Sequence, residues 1–482
     1  MRNYFPELTI GILQIPIDAV PLESNGQDEL NPTLIGLQNI HKNISLCLEI
    51  LNLLKSEISE NPKEKRGAKG LSLWELFVLT SIRRCGTIDY RKLADLASNH
   101  ISLIGILGHG VVEGQLYSRS TLQENIALVK ASTLDKINVL IVKHAQGYCN
   151  KTNEIVRVDS FVFEANIHYH ADYKSLVDGS RCLLREGARL SNLMNVGGFR
   201  QSEHLTKKIK NLAYKITQKN RSTKETKEIE VRDLYIEILG AMEPIYEKIF
   251  TLLSAANKFD INLLNKSEKL KFEKLLSKIY FFFSGTAIEH ELAYRRIVLG
   301  ETIGAKEKIF SLFEPHSEMI CKGKAKAPTE YGHLVVVAQC NNGFMLTGER
   351  MESGQKDKDI CISFIKELQN TFDKQIKCMT FDKGYHSPDN KKEIGALVSD
   401  SLLMAKGKNA KQIRDKAYYE KKHWHSGVES SINALEQGNN MGVCKDKGLS
   451  GFDRCVKGSI LARNIHSLGL IVIEQSRKKL VG

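Results

Sequence analysis

IVRVDSFVFEAN, residues 155–166, is the stretch on which the reading of this chain turns. Its first half alternates apolar and polar residues, and β-branched and aromatic side chains are frequent. That pattern predicts a β-strand with Asp159 on one of its faces. Two more acids occupy comparably definite settings. Asp382 ends an apolar run in KCMTFDKGYHSPDN (377–390), and Glu429 lies within a helical pattern in HWHSGVESSINALEQ (423–437). A single Asp at a strand end is ordinarily a turn or capping residue. The order of the elements around these three gives them a joint meaning.

Downstream, GHLVVVAQC (332–340), a turn at Asn341, Asn342 and Gly343, and FMLTGERM (344–351) predict a hairpin. A helix is expected from about Asp357 to Asn370, then a strand, IKCMTF, ending at Asp382. A short helix opened by Ser387 and Pro388 follows, then a strand in ALVSDSLLMA (396–405) and a helix spanning Glu429. Strand, strand, strand, helix, strand, helix, strand, helix is the order of a ribonuclease H-like fold. In that topology the ends of the first and fourth strands lie side by side and the last helix crosses beside them. Asp159, Asp382 and Glu429 would then converge, as carboxylates must to hold a pair of hard divalent cations.

The chain has 482 residues, 42% of them hydrophobic, which is enough for two or three packed units. Its formal charge of +13 suits a polyanionic partner without requiring one. Residues 1–69 read as a helical lead-in ending in an exposed linker, NPKEKRGAKG. Residues 70–146 read as short helices, LSLWELFVLTSIRR, DYRKLADLA and STLQENIALVKA, with Thr121 and Glu124 as a capping box. These helices suit a helix-turn-helix reader of duplex DNA or a small bundle that only packs. The sheet would begin in 150–202 and resume in 314–482, interrupted by a helical insertion over 203–313. Lys207, Lys208, Lys210, Lys215, Lys219, Arg221 and Lys224 in that insertion form a solvated face or a backbone-tracking one.

The ten cysteines show no C-x-x-C pair, and no secretory leader is read ahead of them, so reduced thiols in a cytosol are expected. No apolar run approaches the roughly 18–20 residues of a membrane span. His168 with His170, and His423 with His425, make H-x-H pairs. Neither has a cysteine or acid cluster at zinc spacing beside it, so both pairs are read as packing groups or DNA contacts. Lys383, Gly384, Tyr385 and His386 follow Asp382 on a loop open to a phosphate backbone. Lys406, Lys408, Lys411, Arg414, Lys416, Lys421 and Lys422 crowd the approach to Glu429, with Trp424 positioned to stack on a base or to anchor the helix.

Several stretches resemble a DDE transposase of a bacterial insertion sequence, close to the ISNCY group. They are YRKLADLAS, STLQENIALV, VDSFVFEANIHYHADYKSLVDG, EPHSEMICKGKAKAPTEYGH, FDKGYHSPDNKK and VESSINALEQGNNMGVCKDKGLSGFDRCVKGSILARNIHSLG. The resemblance extends over most of the chain. The resemblance implies an α+β multidomain protein with an N-terminal helical DNA-binding region and a ribonuclease H-like sheet split by a helical insertion. It implies Asp159, Asp382 and Glu429 as catalytic and metal-binding acids, and two Mg²⁺ ions for which Mn²⁺ substitutes. The implied partners are double-stranded transposon ends and target DNA, bound by a homo-oligomer in a prokaryotic cytoplasm at the nucleoid, with no membrane. A nuclease of the same fold and a catalytically inactive DNA-binding derivative are the alternatives. Related families carry a basic residue two helical turns after the glutamate. This chain has Glu436 there, which leaves either Arg454 or Lys457 to take that role or the contact absent.

Overall fold

The strand around Asp159 is β1 (Ile155–Ala165), the centre of a mixed sheet. The computed structural model describes residues 2–6, 15–23, 27–59, 70–110, 116–149, 151–321, 329–404 and 416–481. Ahead of β1 lie α1 (Asn31–Lys42), α2 (Ile44–Ser59), α3 (Leu73–Ile82), α4 (Tyr90–Asn99), α5 (Ile101–Leu107), α6 (Arg119–Ile126) and α7 (Ala131–Gln146). After it come α8 (Asp172–Leu193), α9 (Ser202–Asn220), α10 (Lys227–Lys258), α11 (Lys266–Ala293), β2 (Glu318–Cys321), β3 (Thr329–Cys340) and β4 (Met345–Arg350). The chain then forms α12 (Asp357–Thr371), β5 (Cys378–Phe381), α13 (Pro388–Leu397), β6 (Asp400–Leu403), α14 (Lys416–Gly438), β7 (Val443–Cys444) and α15 (Gly448–Val481). The protein is therefore α+β, and the element order expected downstream of β1 is present.

Sheet order is β2-β3-β1-β5-β6, with β4 also on β3 and β7 on the far end of β1. β3 runs antiparallel to β1 and β4 antiparallel to β3, through a turn in which Gly343 takes φ 85°. β5 is parallel to β1, with Val158 opposite Phe381, and β6 is parallel to β5. Strand alternation assigns the two faces. Val156, Val158, Met379 and Phe381 enter one apolar cluster, while Phe161 and Phe163 enter another with Val428, Ile432 and Leu435 of α14. Asp159 shares the odd-numbered parity of Phe161 and so belongs to the α14 face.

The chain divides into two compact units, residues 1–165 with 332–482, and residues 166–331. In the first, the helices of 70–146, read from sequence as a separate segment, bury Trp74, Phe77, Leu122 and Ile137 in the cluster that also holds Val158 and Met379. Their apolar faces are thus spent on the sheet side of the same core. α15, absent from the sequence reading as an element, supplies Leu461, Ala462, Ile465 and Leu468 to it. Its close approach to α1 depends on glycine. A Cβ on Gly469 would fall onto the Pro32 carbonyl, and one on Gly36 onto the Ile465 carbonyl, so no larger residue fits either backbone contact. Gly448–Lys479 is long and apolar enough by length and composition to cross a membrane, contrary to the expectation that nothing approached that size. However, 61% of its most apolar window is buried inside the protein.

Two local expectations change. α6 is capped by Ser118, whose hydroxyl accepts from Thr121 N at 3.0 Å, and not by Thr121 with Glu124. The run ALVSDSLLMA is not all strand. Its first residues finish α13, where Val398 N donates to Ile394 O at 3.0 Å and both side chains are buried, leaving only Asp400–Leu403 to pair with β5.

The second unit begins ahead of the expected 203–313 insertion and extends past it. α8, α9, α10 and α11 share an apolar core of Leu183, Ile209, Ile216, Ile238, Ile245 and Ile279. Lys207, Lys208, Lys210 and Lys215 are exposed around the buried Ile209 and Leu212, while Lys219 pairs with Glu230.

Candidate active site

Parallel pairing of β1 and β5 with Val158 opposite Phe381 makes Asp159 and Asp382 the next residues along two adjacent strands. Each carboxylate is oriented by a backbone amide. Ser160 N donates to Asp159 Oδ1 at 2.8 Å, and Gly384 N donates to Asp382 Oδ1 at 2.6 Å across a turn that Asp382 caps. Glu429 is exposed on α14, and all three acids line one cleft of about 590 Å³ with Lys383, Tyr419, Lys422 and His423.

α14 is held over the strands by side chains that the sequence reading did not single out. Arg157 of β1 donates to Trp424 O at 2.9 Å, to Ser431 Oγ at 3.2 Å and to Gln339 Oε1 at 2.8 Å. Thr380 of β5 lies 3.0 Å from His425 Nδ1. Gly427 makes this approach feasible, since a Cβ there would strike the Arg157 guanidinium. Gly427→Ala is accordingly expected to push Arg157 off its partners and destabilise the protein by about 1–3 kcal/mol. Urea unfolding checks this, and an unchanged midpoint would show that the contact has slack.

A fourth carboxylate joins the group. Asp357, the first residue of α12, accepts from Ser160 Oγ at 2.6 Å, and a Cβ on Gly384 would come within 2.5 Å of Asp357 Oδ2 and 2.9 Å of Asp382 Oδ1. Burial, reinforced by the Asp382, Asp357 and Glu429 charges, pushes the Asp159 carboxyl up to about 7. Among the described residues no ion pair reaches Asp159, Asp382 or Glu429. Like charges gathered at one place raise the energy of the ionised state. The donors are all oxygens, the set that hard divalent cations select. Their ligand atoms are not drawn into one tight group. Among the described residues, the His, Cys, Asp and Glu side chains with three ligand atoms all within 4.8 Å of one another are His170, Asp172 and Glu289.

The expected DNA contacts divide. Lys383 and Lys422 line the cleft and are exposed. Tyr385 does not reach solvent. Its ring is fully buried 5.3 Å from Phe381, and its hydroxyl lacks a hydrogen-bond partner, so Tyr385 is withdrawn as a DNA contact. Lys421 is paired with Asp400, and Trp424 is half-buried beneath the Arg157 guanidinium at 5.2 Å, an anchor for the helix. His386 is half-buried at the end of the Lys383–Tyr385 turn, outside the cleft lining. Lys406, Lys408, Lys411 and Arg414 lie outside the described residues.

Neither proposed substitute for the missing basic residue is offered to the cleft. Lys457 is half-buried between Asp135, at 2.9 Å, and Glu349. Arg454 donates to Ala127 O at 3.1 Å and approaches Asp446 at 4.0 Å. The H-x-H pairs also resolve. His425 is buried on Thr380 while His423 stays exposed, and His168 bonds Asp178 at 2.9 Å. The chain matches no family model, no curated protein and no solved structure.

Proposed function

We propose that the protein is a metal-dependent DNA strand-cleaving and strand-joining enzyme of the DDE transposase type, built on a ribonuclease H-like sheet. The carrying observation is the convergence of Asp159 and Asp382, from adjacent parallel strands, with Glu429 on the helix that crosses them, in one cleft. Asp159, Asp382 and Glu429 would together hold two Mg²⁺ ions, with Mn²⁺ able to substitute. Bound there, the ions would supply Lewis-acid activation of a water or 3′-hydroxyl and stabilise the leaving 3′ oxygen.

The remaining work falls to protein groups. The Ser160 and Gly384 amides hold Asp159 and Asp382 in fixed orientation, so little reorganisation accompanies reaction. Exposed Lys383 and Lys422 place positive charge at the cleft edge, where a phosphodiester backbone would be drawn in and aligned. Transposon ends and target duplex are the intended partners. A homo-oligomer at the nucleoid follows from the need to hold two ends together.

The test incubates the purified chain with labelled duplex carrying the inverted repeats that flank its gene, in Mg²⁺ or EDTA, beside Asp382→Asn. Mg²⁺-dependent 3′-end nicking and joining, lost in the variant while binding persists, supports the proposal. Cleavage that survives Asp382→Asn rejects these residues, and binding without cleavage indicates an inactive derivative. A second reading, a nuclease of the same fold, draws on the packing of residues 70–146 into the sheet's own core, because those helices are less free to act as an independent reader. Nicked product without joined product would decide for it.

A further inference from the structure

The helical unit carries a second group of potential ligands that shares no residue with the Asp159 cleft. His170 precedes α8, Asp172 is the first residue of that helix, and Glu289 projects from α11. One ligand atom from each lies within 4.8 Å of the other two. Two of the three side chains are left incomplete. Glu289 is 1% exposed, and its Oε1 has no hydrogen-bond partner. The Nδ1 atom of His170 is also buried without a partner, while Nε2 lies 3.3 Å from Asp172 Oδ1. An unsatisfied buried carboxylate oxygen costs about 1–3 kcal/mol or more, and proteins seldom retain one without a reason.

The surroundings are organised around the same point. Arg296, on the π-helical turn Tyr294–Val298 that continues α11, donates from Nε to Asp172 Oδ2 at 2.9 Å. That contact orients the carboxylate while leaving Oδ1 on the His170 side. The Phe310 ring meets the His170 ring edge-on at 5.5 Å and restricts its rotation.

We propose that His170, Asp172 and Glu289 bind one divalent transition-metal ion, with Zn²⁺ the best fit, which ties the start of α8 to α11 within the helical unit. One imidazole and two carboxylates make a borderline donor set that suits Zn²⁺, whereas Mg²⁺ selects oxygen alone. Arg296 acts as an outer partner that fixes Asp172. The sequence reading took His170 for a packing group or a DNA contact because no cysteine or acid cluster stands at zinc spacing beside it; Glu289 lies far along the chain, and only folding of the unit brings the two together.

The test uses the full chain carrying Asp159→Asn, Asp382→Asn and Glu429→Gln, which removes the three acids that line the cleft. After chelation and equilibrium dialysis against micromolar Zn²⁺, metal analysis is expected to find one ion per chain. Adding Glu289→Gln or His170→Gln is expected to weaken retention by at least ~10-fold. Co²⁺ in place of Zn²⁺ should give visible d–d bands that need no further variant at the site. Failure to retain Zn²⁺, absence of the Co²⁺ bands, or retention unaffected by Glu289→Gln and His170→Gln would each overturn the assignment.

Discussion

Asp159→Asn is expected to unfold at higher denaturant than the native chain at pH 8 in EDTA, while losing metal-dependent strand cleavage by roughly a thousandfold or more. On the function proposed above, the cleavage loss follows from removing a carboxylate that would hold the ions, since metal-ion stabilisation of a phosphoryl transition state is worth several kcal/mol. The stability gain follows from the upward shift of Asp159 to about 7, caused by burial and by the neighbouring acids. Below about pH 4 the group holds a proton in both folded and unfolded chains and costs nothing. Between there and pH 7 the unfolded chain gives up its proton and the folded chain keeps it, so folded stability declines as pH rises. With about 1.4 kcal/mol per pH unit, and allowing for solvent at a half-buried site, the accumulated cost is roughly 2–4 kcal/mol.

Asparagine carries no such cost, so the gap between the two proteins should open from pH 4.5 to pH 8. Mg²⁺ should narrow it by stabilising the native chain and leaving the variant almost unchanged. Guanidinium melts at the two pH values, with Mg²⁺ or EDTA, measure all of this. A pH-independent gap, or equal Mg²⁺ stabilisation of both proteins, would show that Asp159 neither carries the charge stress nor binds the ion. A site selected for chemistry at the expense of stability is the general expectation where like charges converge.

The second large effect concerns Asp446, far from Asp159 in sequence and role. Asp446→Asn is expected to destabilise the protein by about 3–5 kcal/mol, because it leaves two buried guanidinium groups without their counter-charge. Arg83 and Arg84 follow α3, and both are 1% exposed. Arg83 Nη2 lies 3.4 Å from Asp446 Oδ1, and Arg84 pairs with Oδ2. Arg83 also covers the Tyr90 ring at 4.6 Å, and Arg84 donates to Cys455 Sγ at 2.8 Å.

This cluster ties α3 to the segment between α14 and α15, where Gly86 N also donates to Gly438 O at 2.7 Å. The substitution preserves volume, so the loss is electrostatic and no cavity opens. Burial by itself would raise the Asp446 carboxyl, but Arg84 and Arg83 outweigh it and hold it below the usual carboxylate range. Its stabilisation is therefore present above the ordinary carboxylate range and disappears as pH falls through the depressed value. Chemical unfolding at pH 7 should show the full loss, shrinking under strong acid. A loss below about 1 kcal/mol would mean that water or another acid compensates the arginines.

Periodicity and punctuation, which are local, made much of this protein legible in its sequence. The alternation through Val156 and Val158, the turn at Gly343, the Ser387-Pro388 helix start, the acid within one strand and the acid directly after another all report interactions within a few residues of chain. They were sufficient to place β1, the β3–β4 hairpin and β5 in order, and to select Asp159, Asp382 and Glu429 as the acids that line one cleft.

Contacts between distant segments follow a different rule, because burial, ion pairing and backbone approach depend on which surfaces meet. α15 could reach α1 because Gly36 and Gly469 face backbone across 433 positions of sequence, and nothing local to either glycine announces it. Tyr385 looked like a loop residue and lies in the core. Lys457 looked like a free cation and is spent on Asp135 and Glu349. Asp357 became a fourth cleft acid, and His170 met Glu289, only when strands and helices remote in sequence packed together. Local pattern thus determined the elements and the chemistry they carry. Long-range packing, driven by burial of apolar faces and by the need to pair every buried charge, determined which of those groups remain available to a ligand.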